Sequence, residues 1–359
     1  ETGTPVEITS PSAMLVEAAT GTVIFEKDAD APRQVASLTK LMTLLLVLEE
    51  IDAGQIALTD SVVVSREAAA QKGSHALLDA GAAYPLEELL KCTIIASAND
   101  GAYALAEHVS GSESAFVERM NARAAELGME STTYVNCTGL PQDGQHTTAR
   151  DIATISCEMS KHAKYHEYAS VWLDKLTHPS GRVTDLTNTN RLVRFYEGCD
   201  GFKTGSTDAA RYCLSATCEK SGLRLIAVVL GAETSQRRFD EARAMMDYGF
   251  ASYRRVEVVK AGQLLGRQVA VKRGSAETVD AAVGKGVSML LRLGQEKQLT
   301  MDIELPDSVQ APVENGQTLG TIRISLNGRV VAKLPAVAAA AVPMPGLLEG
   351  FLRIFTNWR

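Results

Sequence analysis

The sequence predicts a mixed α/β chain of the α+β kind. One antiparallel sheet, assembled from both ends of the first 253 residues, is split by a helical insertion, and a small all-β domain and a terminal amphipathic helix follow. Three observations carry this. Strand patterning brackets a helical stretch from about Ser37 to Ser170; the composition changes near Arg254 to short strands and turns; and the last thirteen residues alternate with helical period. The expected boundaries are 1–253, 254–335 for the β domain, and 336–359 for linker and helix.

Residues 13–28, AMLVEAATGTVIFEKD, read as two strands around an Ala-Thr-Gly turn. From Leu38 to Ile51 the apolar positions cover nearly the whole circumference of a helix, which marks a buried one, and Gly54 supplies its stop. YPLEELLKCTIIA, NDGAYALAEHVSG and ESAFVERMNARAAELGM continue the helical period, and TARDIATISCEMSKH adds a helix that Thr147 or Thr148 can cap. After TDLTNTNRLV come the strands GFKTGST, RYCLSATCEK and LRLIAVVLGAE, the last two joined by Ser221-Gly222. SQRRFDEARAMMDYGFASY is an amphipathic helix with Phe239, Ala242, Met245, Met246 and Phe250 on its inner side. In the β domain, Asn327-Gly328 is a two-residue hairpin signal. PAVAAAAVPMPG reads as a linker; beyond it Leu347, Leu348, Phe351, Leu352, Phe355 and Trp358 share one helical face, suited to lie in a membrane surface.

Composition excludes several classes. Of 359 residues 45% are hydrophobic and 22% charged, ordinary for a globular chain able to bury a substantial core. A net charge of −7 with no basic block argues against a nucleic-acid partner. No run approaches the ~20 apolar residues that span a bilayer. The polar opening ETGTPVEITS shows no signal peptide, which fits a cytosolic or a mature exported chain. The six cysteines form no Cys-x-x-Cys pair, so neither a zinc site nor a thioredoxin-type motif is expected, and buried free thiols are favoured over disulfides.

The chemistry concentrates in three short motifs. Ser37 and Lys40 stand one helical turn apart at the start of the most apolar helix, and Ser37 is the only serine with a lysine three residues on. Burying an ammonium is expensive and lowers its pKa, and an amine neutral part of the time can take a proton from a nearby hydroxyl. About one Ser-x-x-Lys match arises by chance in a chain this long, and a capping serine beside a snorkelling lysine accounts for the pair equally well. Ser97 and Asn99 lie in a break between two helices, where polar groups can enter a cleft. Lys203-Thr204-Gly205 lies on a strand, where Gly205 leaves room for a ligand backbone to approach. Ser325-Leu326-Asn327 and Lys220-Ser221-Gly222 repeat these patterns but read as turns. His75 and His146 have no carboxylate neighbour that would make a triad evident.

In this order, Ser37-x-x-Lys40, Ser97-x-Asn99 and Lys203-Thr204-Gly205 resemble the three motifs of the penicillin-recognising serine acyltransferases. The flanking VASLTKLMT, GLPQDGQHTTARDIA, DGFKTGSTDAARYCL and DYGF are similar to the low-molecular-mass penicillin-binding proteins, the D-alanyl-D-alanine carboxypeptidases, over about residues 10–250. The resemblance implies a transpeptidase-like fold in which Ser37 attacks the carbonyl between two terminal D-alanines, Lys40 takes its proton and Ser97 relays the proton to the leaving group. It further implies that backbone N–H groups of Ser37 and Ser206 form an oxyanion hole and Asn99 holds the substrate amide. Lys203 raises the local potential, Gly205 stays bare, and Thr204, Ser206 and an arginine bind the terminal carboxylate. Arg238 is the chosen arginine, with Arg237 adjacent and Arg191 the weaker option. No metal or organic cofactor is required; the implied partners are peptidoglycan stem peptides ending in D-Ala-D-Ala and β-lactams, and the implied location is the outer face of the cytoplasmic membrane. Alanine at position 98 and serine at 206 depart from some relatives, which have glycine and histidine there. A β-lactamase shares the motifs but needs a Glu-x-x-Leu-Asn loop, which no run between Asn99 and Lys203 provides. A DD-endopeptidase and a non-catalytic wall-binding module complete the alternatives.

Overall fold

A computed structural model describes residues 6–346. Two compact units divide the chain, one ending at Ala251 and one starting at Ser252. In the first, β1 (Ser12–Glu17) and β2 (Val23–Lys27) form a hairpin, followed by α1 (Lys40–Asp52), α2 (Leu86–Ile95), α3 (Asn99–Ser110), α4 (Glu113–Glu126) and α5 (Ala149–Met159). Then come β3 (Cys199–Thr207), β4 (Arg211–Lys220), β5 (Leu223–Ala232) and α6 (Ser235–Ser252). The five strands make one antiparallel sheet in the order β2-β1-β5-β4-β3. Met14 stands opposite Val228 and Val16 opposite Ile226, so the two ends of the unit meet in the middle of the sheet. The helical insertion expected between them is there.

Every residue of α1 from Lys40 to Leu48 is buried, which is why its apolar positions run all the way round. Thr148 is the residue that caps α5: its hydroxyl accepts from the Asp151 amide at 3.0 Å. Ser221-Gly222 and Asn327-Gly328 both take positive φ at both positions, the geometry of tight hairpin turns, which removes them as rivals to the motifs they mimic. Two small hairpins were not legible as such, Ser61–Val63 with Ala83–Pro85 and Leu173–Thr177 with Val183–Thr187; their strands are too short to show a period. All six cysteines are free thiols.

The second unit is all β, with a six-stranded and a two-stranded sheet around small Val, Ile, Leu and Ala clusters. Its last strand, Arg329–Ala338, runs past the expected boundary at 335, and Val342 is buried and bridged to Val313. The first residues of the expected linker therefore close this sheet; alanine and valine are as good in a packed strand as in a spacer. The predicted amphipathic helix at 347–359 lies outside the described residues.

Thr148→Ala is expected to destabilise the first unit by about 1 kcal/mol, read as a lower denaturant midpoint with an unchanged m-value.

Candidate active site

A 3-10 turn, Ala36–Thr39, leads into α1 and carries Ser37, which is half-buried and so open to a ligand. Lys40 is fully buried; its Nζ donates to Ser37 Oγ at 3.0 Å and to the Thr138 carbonyl at 2.7 Å. Burial pushes the Lys40 ammonium down to about 7. Cys137 and Asp100 lie close enough to oppose that shift. The Cys137 thiol, however, is itself held protonated by burial and the nearby Glu113, so at neutral pH it brings no charge. No carboxylate forms a salt bridge with Lys40 among the described residues. The amine therefore sits between two oxygens, close to half-charged, and touches the serine hydroxyl.

β3 brings the second lysine. Lys203 is fully buried, and burial, then Lys40 and Arg238, hold its ammonium well below the usual lysine range. Gly205 faces the turn: a Cβ there would stand 2.3 Å from the Val35 carbonyl and 3.1 Å from the Ser37 amide nitrogen. The bare position thus serves the protein's own backbone, pressing β3 against the turn that carries Ser37. Thr204 is buried and Ser206 exposed.

Ser97 lies in the break before α3, in a left-handed conformation at φ 63°, and Asn99 is the first residue of that helix. Asn99 Nδ2 donates to the Lys72 carbonyl at 2.5 Å, while its buried Oδ1 has no partner among the described residues. That oxygen is an acceptor waiting for an N–H. Arg238, on α6, donates through Nη1 to the carbonyls of Gly205 (3.0 Å) and Cys213 (3.1 Å), and its Nε has no partner among the described residues. Burial pulls this guanidinium down to about 10, still charged at neutral pH. Arg237 is exposed, and Arg191 is exposed but near enough to oppose the charge on Arg238. His75 and His146 are each bonded to a carbonyl two residues back in their own loops.

Two supports were invisible in the sequence reading. Asp100, buried beside Asn99, accepts from the amides of Ala76 (2.9 Å) and Leu78 (3.0 Å), while the Asn99 amide donates to Ser74 at 2.7 Å. These bonds fix the loop 72–78 to the Ser97–Asn99 break. Asn136 Oδ1 accepts from the amides of Thr138 (3.2 Å) and Gly139 (2.8 Å), shaping the loop whose carbonyl holds Lys40. At Gly139 (φ 81°) a Cβ would fall 2.0 Å from the Ala36 carbonyl and 3.0 Å from the Ser37 nitrogen. An Asn-x-x-Gly spacing was the available signal, though such turns are common.

Comparison with known proteins decides the family. The model of D-alanyl-D-alanine carboxypeptidases, peptidase S11, matches residues 1–234. This chain belongs to that carboxypeptidase family. The C-terminal domain model of penicillin-binding protein 5 matches residues 253–344. The D-alanyl-D-alanine carboxypeptidase DacF of Bacillus subtilis is 36% identical over 348 residues, spanning 97% of this chain and 89% of the relative. DacA of Escherichia coli is 31% identical, over 94% and 84%. Penicillin-binding protein 5 of Haemophilus influenzae superposes with a TM-score of 0.79 at 28% identity, covering 95% of this chain and 99% of that one. This carboxypeptidase is accordingly a serine-type peptidase with the penicillin-binding protein fold.

Gly139→Ala is expected to displace the Ala36–Ser37 backbone and cut the rate of penicillin labelling by about 10²-fold, with the fold retained by circular dichroism.

Proposed function

We propose that Ser37 is the nucleophile with which this D-alanyl-D-alanine carboxypeptidase removes the terminal D-alanine of peptidoglycan stem pentapeptides. The observation that carries this reading is the buried Lys40 amine, pushed down to about 7 by burial and bonded to Ser37 Oγ. Ser37 Oγ attacks the carbonyl between the D-alanines and its proton passes to Lys40 Nζ. The tetrahedral oxyanion forms between the backbone N–H groups of Ser37 and Ser206, donors of a kind worth roughly 10²–10³ each in rate. The C–N bond breaks as Ser97 relays a proton to the leaving amine, freeing D-alanine. Water then attacks the ester, and Oγ recovers its proton.

Asn99 Oδ1, buried and unpartnered, suits the substrate amide N–H. Thr204, Ser206 and Arg238 would hold the terminal carboxylate, Lys203 adding positive potential. A β-lactam acylates the same serine, but its leaving group stays tethered and the ester persists. The domain limits 1–253, 254–335 and 336–359 stand as a proposal on the same footing as these roles.

The substrate class places the chain outside the cytoplasm. None of the described helices is long and apolar enough to cross a membrane. The apolar face formed by Leu347, Leu348, Phe351, Leu352, Phe355 and Trp358 in the sequence suits a peripheral attachment to the outer face of the cytoplasmic membrane. Binding to anionic liposomes should vanish when residues after Pro345 are removed; persistence of binding would refute the attachment.

Ser37→Ala is expected to abolish both D-alanine release from diacetyl-L-Lys-D-Ala-D-Ala and labelling by fluorescent penicillin; a β-lactam adduct mapped by mass spectrometry to another residue would sink the assignment. Because Lys40 must be neutral to accept a proton, and burial lowers its pKa, acylation should rise with pH through about 7 and level off above it. Below that point the rate should fall about tenfold per pH unit, and Lys40→Met should erase the limb together with turnover.

A further inference from the structure

Beside Arg238 lies an open cavity of about 590 Å³, lined by Trp172, Phe195, Arg191, Ser235 and the loop Thr187–Thr189. Its walls are mostly apolar. The Trp172 and Phe195 rings meet edge to face at 6.1 Å, and the Arg194 guanidinium covers both. Phe195 is 60% exposed, far more than a packing role requires. Arg191 and Arg238 bring two positive charges, and neither is in a salt bridge among the described residues.

We propose that this cavity is a subsite for the side chain of the terminal D-residue, and that it admits large apolar D-residues such as D-phenylalanine beside D-alanine. The proposal rests on the carboxypeptidase reading. In that reading Arg238 binds the terminal carboxylate, so the side chain on the adjacent Cα emerges a few bonds away. Arg238 both donates to the Gly205 carbonyl and lines the cavity. A methyl group leaves nearly all of the cavity to water, whereas a benzyl group reaches Trp172 and Phe195 and covers their exposed faces. Burying such a group offsets the cost of admitting it, so a large apolar residue is accepted beside alanine. The chemistry is unchanged: the same amide C–N bond breaks, and the released amine is D-phenylalanine in place of D-alanine.

The test is a panel of diacetyl-L-Lys-D-Ala-D-X peptides, with X as alanine, phenylalanine or glutamate, assayed on the wild type, Trp172→Ala and Phe195→Ala. The wild type should cleave the D-Phe peptide with kcat/KM within about tenfold of the D-Ala peptide. Each variant should lose roughly tenfold on D-Phe, mostly in KM, and stay within about twofold on D-Ala. D-Ala release without D-Phe release overturns the subsite alone, as does an equal loss on both peptides, which would mark the aromatics as structural. A preference for D-Glu over D-Phe overturns its apolar character in favour of Arg191. Absence of D-Ala release from the wild type overturns the carboxypeptidase reading with it.

Discussion

An ammonium with no acid bonded to it among the described residues, sunk in a helix buried on every side from Lys40 to Leu48, is the constraint around which the rest is arranged. Lys40 cannot be solvated, so it is held by two oxygens: the carbonyl of Thr138 and the hydroxyl of Ser37. Desolvation supplies the chemistry, because burial is what brings this lysine down to about 7. A carboxylate partner would have raised the pKa again and quenched the base. Asp100, whose charge does reach Lys40, instead spends its oxygens on backbone amides of another loop. The helix pays for this in stability and gains a proton acceptor.

Around that centre the parts are held by backbone contact more than by side-chain bonding. Gly205 and Gly139 each bring a strand or loop within van der Waals reach of the Ala36–Ser37 peptide, from different directions. A turn clamped this way has little freedom to relax, and the left-handed conformations of Ala36 and Ser97 persist only because the surroundings over-determine them. Preorganisation of this sort is what makes a fixed oxyanion site effective.

What could be read in the sequence follows from how far each signal reaches. Ser37 and Lys40 announce themselves because their pairing is local, a turn of helix in an apolar run. The sheet strands and the cores of α1 and α6 were legible for the same reason: periodicity is a short-range property. Asp100 and Asn136 were missed because their partners are amides of loops that no pattern marks. The Thr138 carbonyl is a backbone atom and carries no sequence signal at all. Gly139 and Gly205 look like any glycine until the chain they press against is in place. The last strand runs past 335 because PAVAAAAV suits a packed strand as well as a spacer.

The interleaved sheet has a consequence for biogenesis. Residues 12–17 lie between β2 and β5, pairing with positions 225–230, so the central ladder joins segments more than half the chain apart. Such a long-range closure cannot begin until the distal strands have been synthesised. Ser37, by contrast, is made early, long before the edge strand β3 whose Gly205 packs against its turn. The surroundings of this serine are therefore complete only after the distal strands have joined the sheet, so a truncated chain carries the serine without the wall that shapes it.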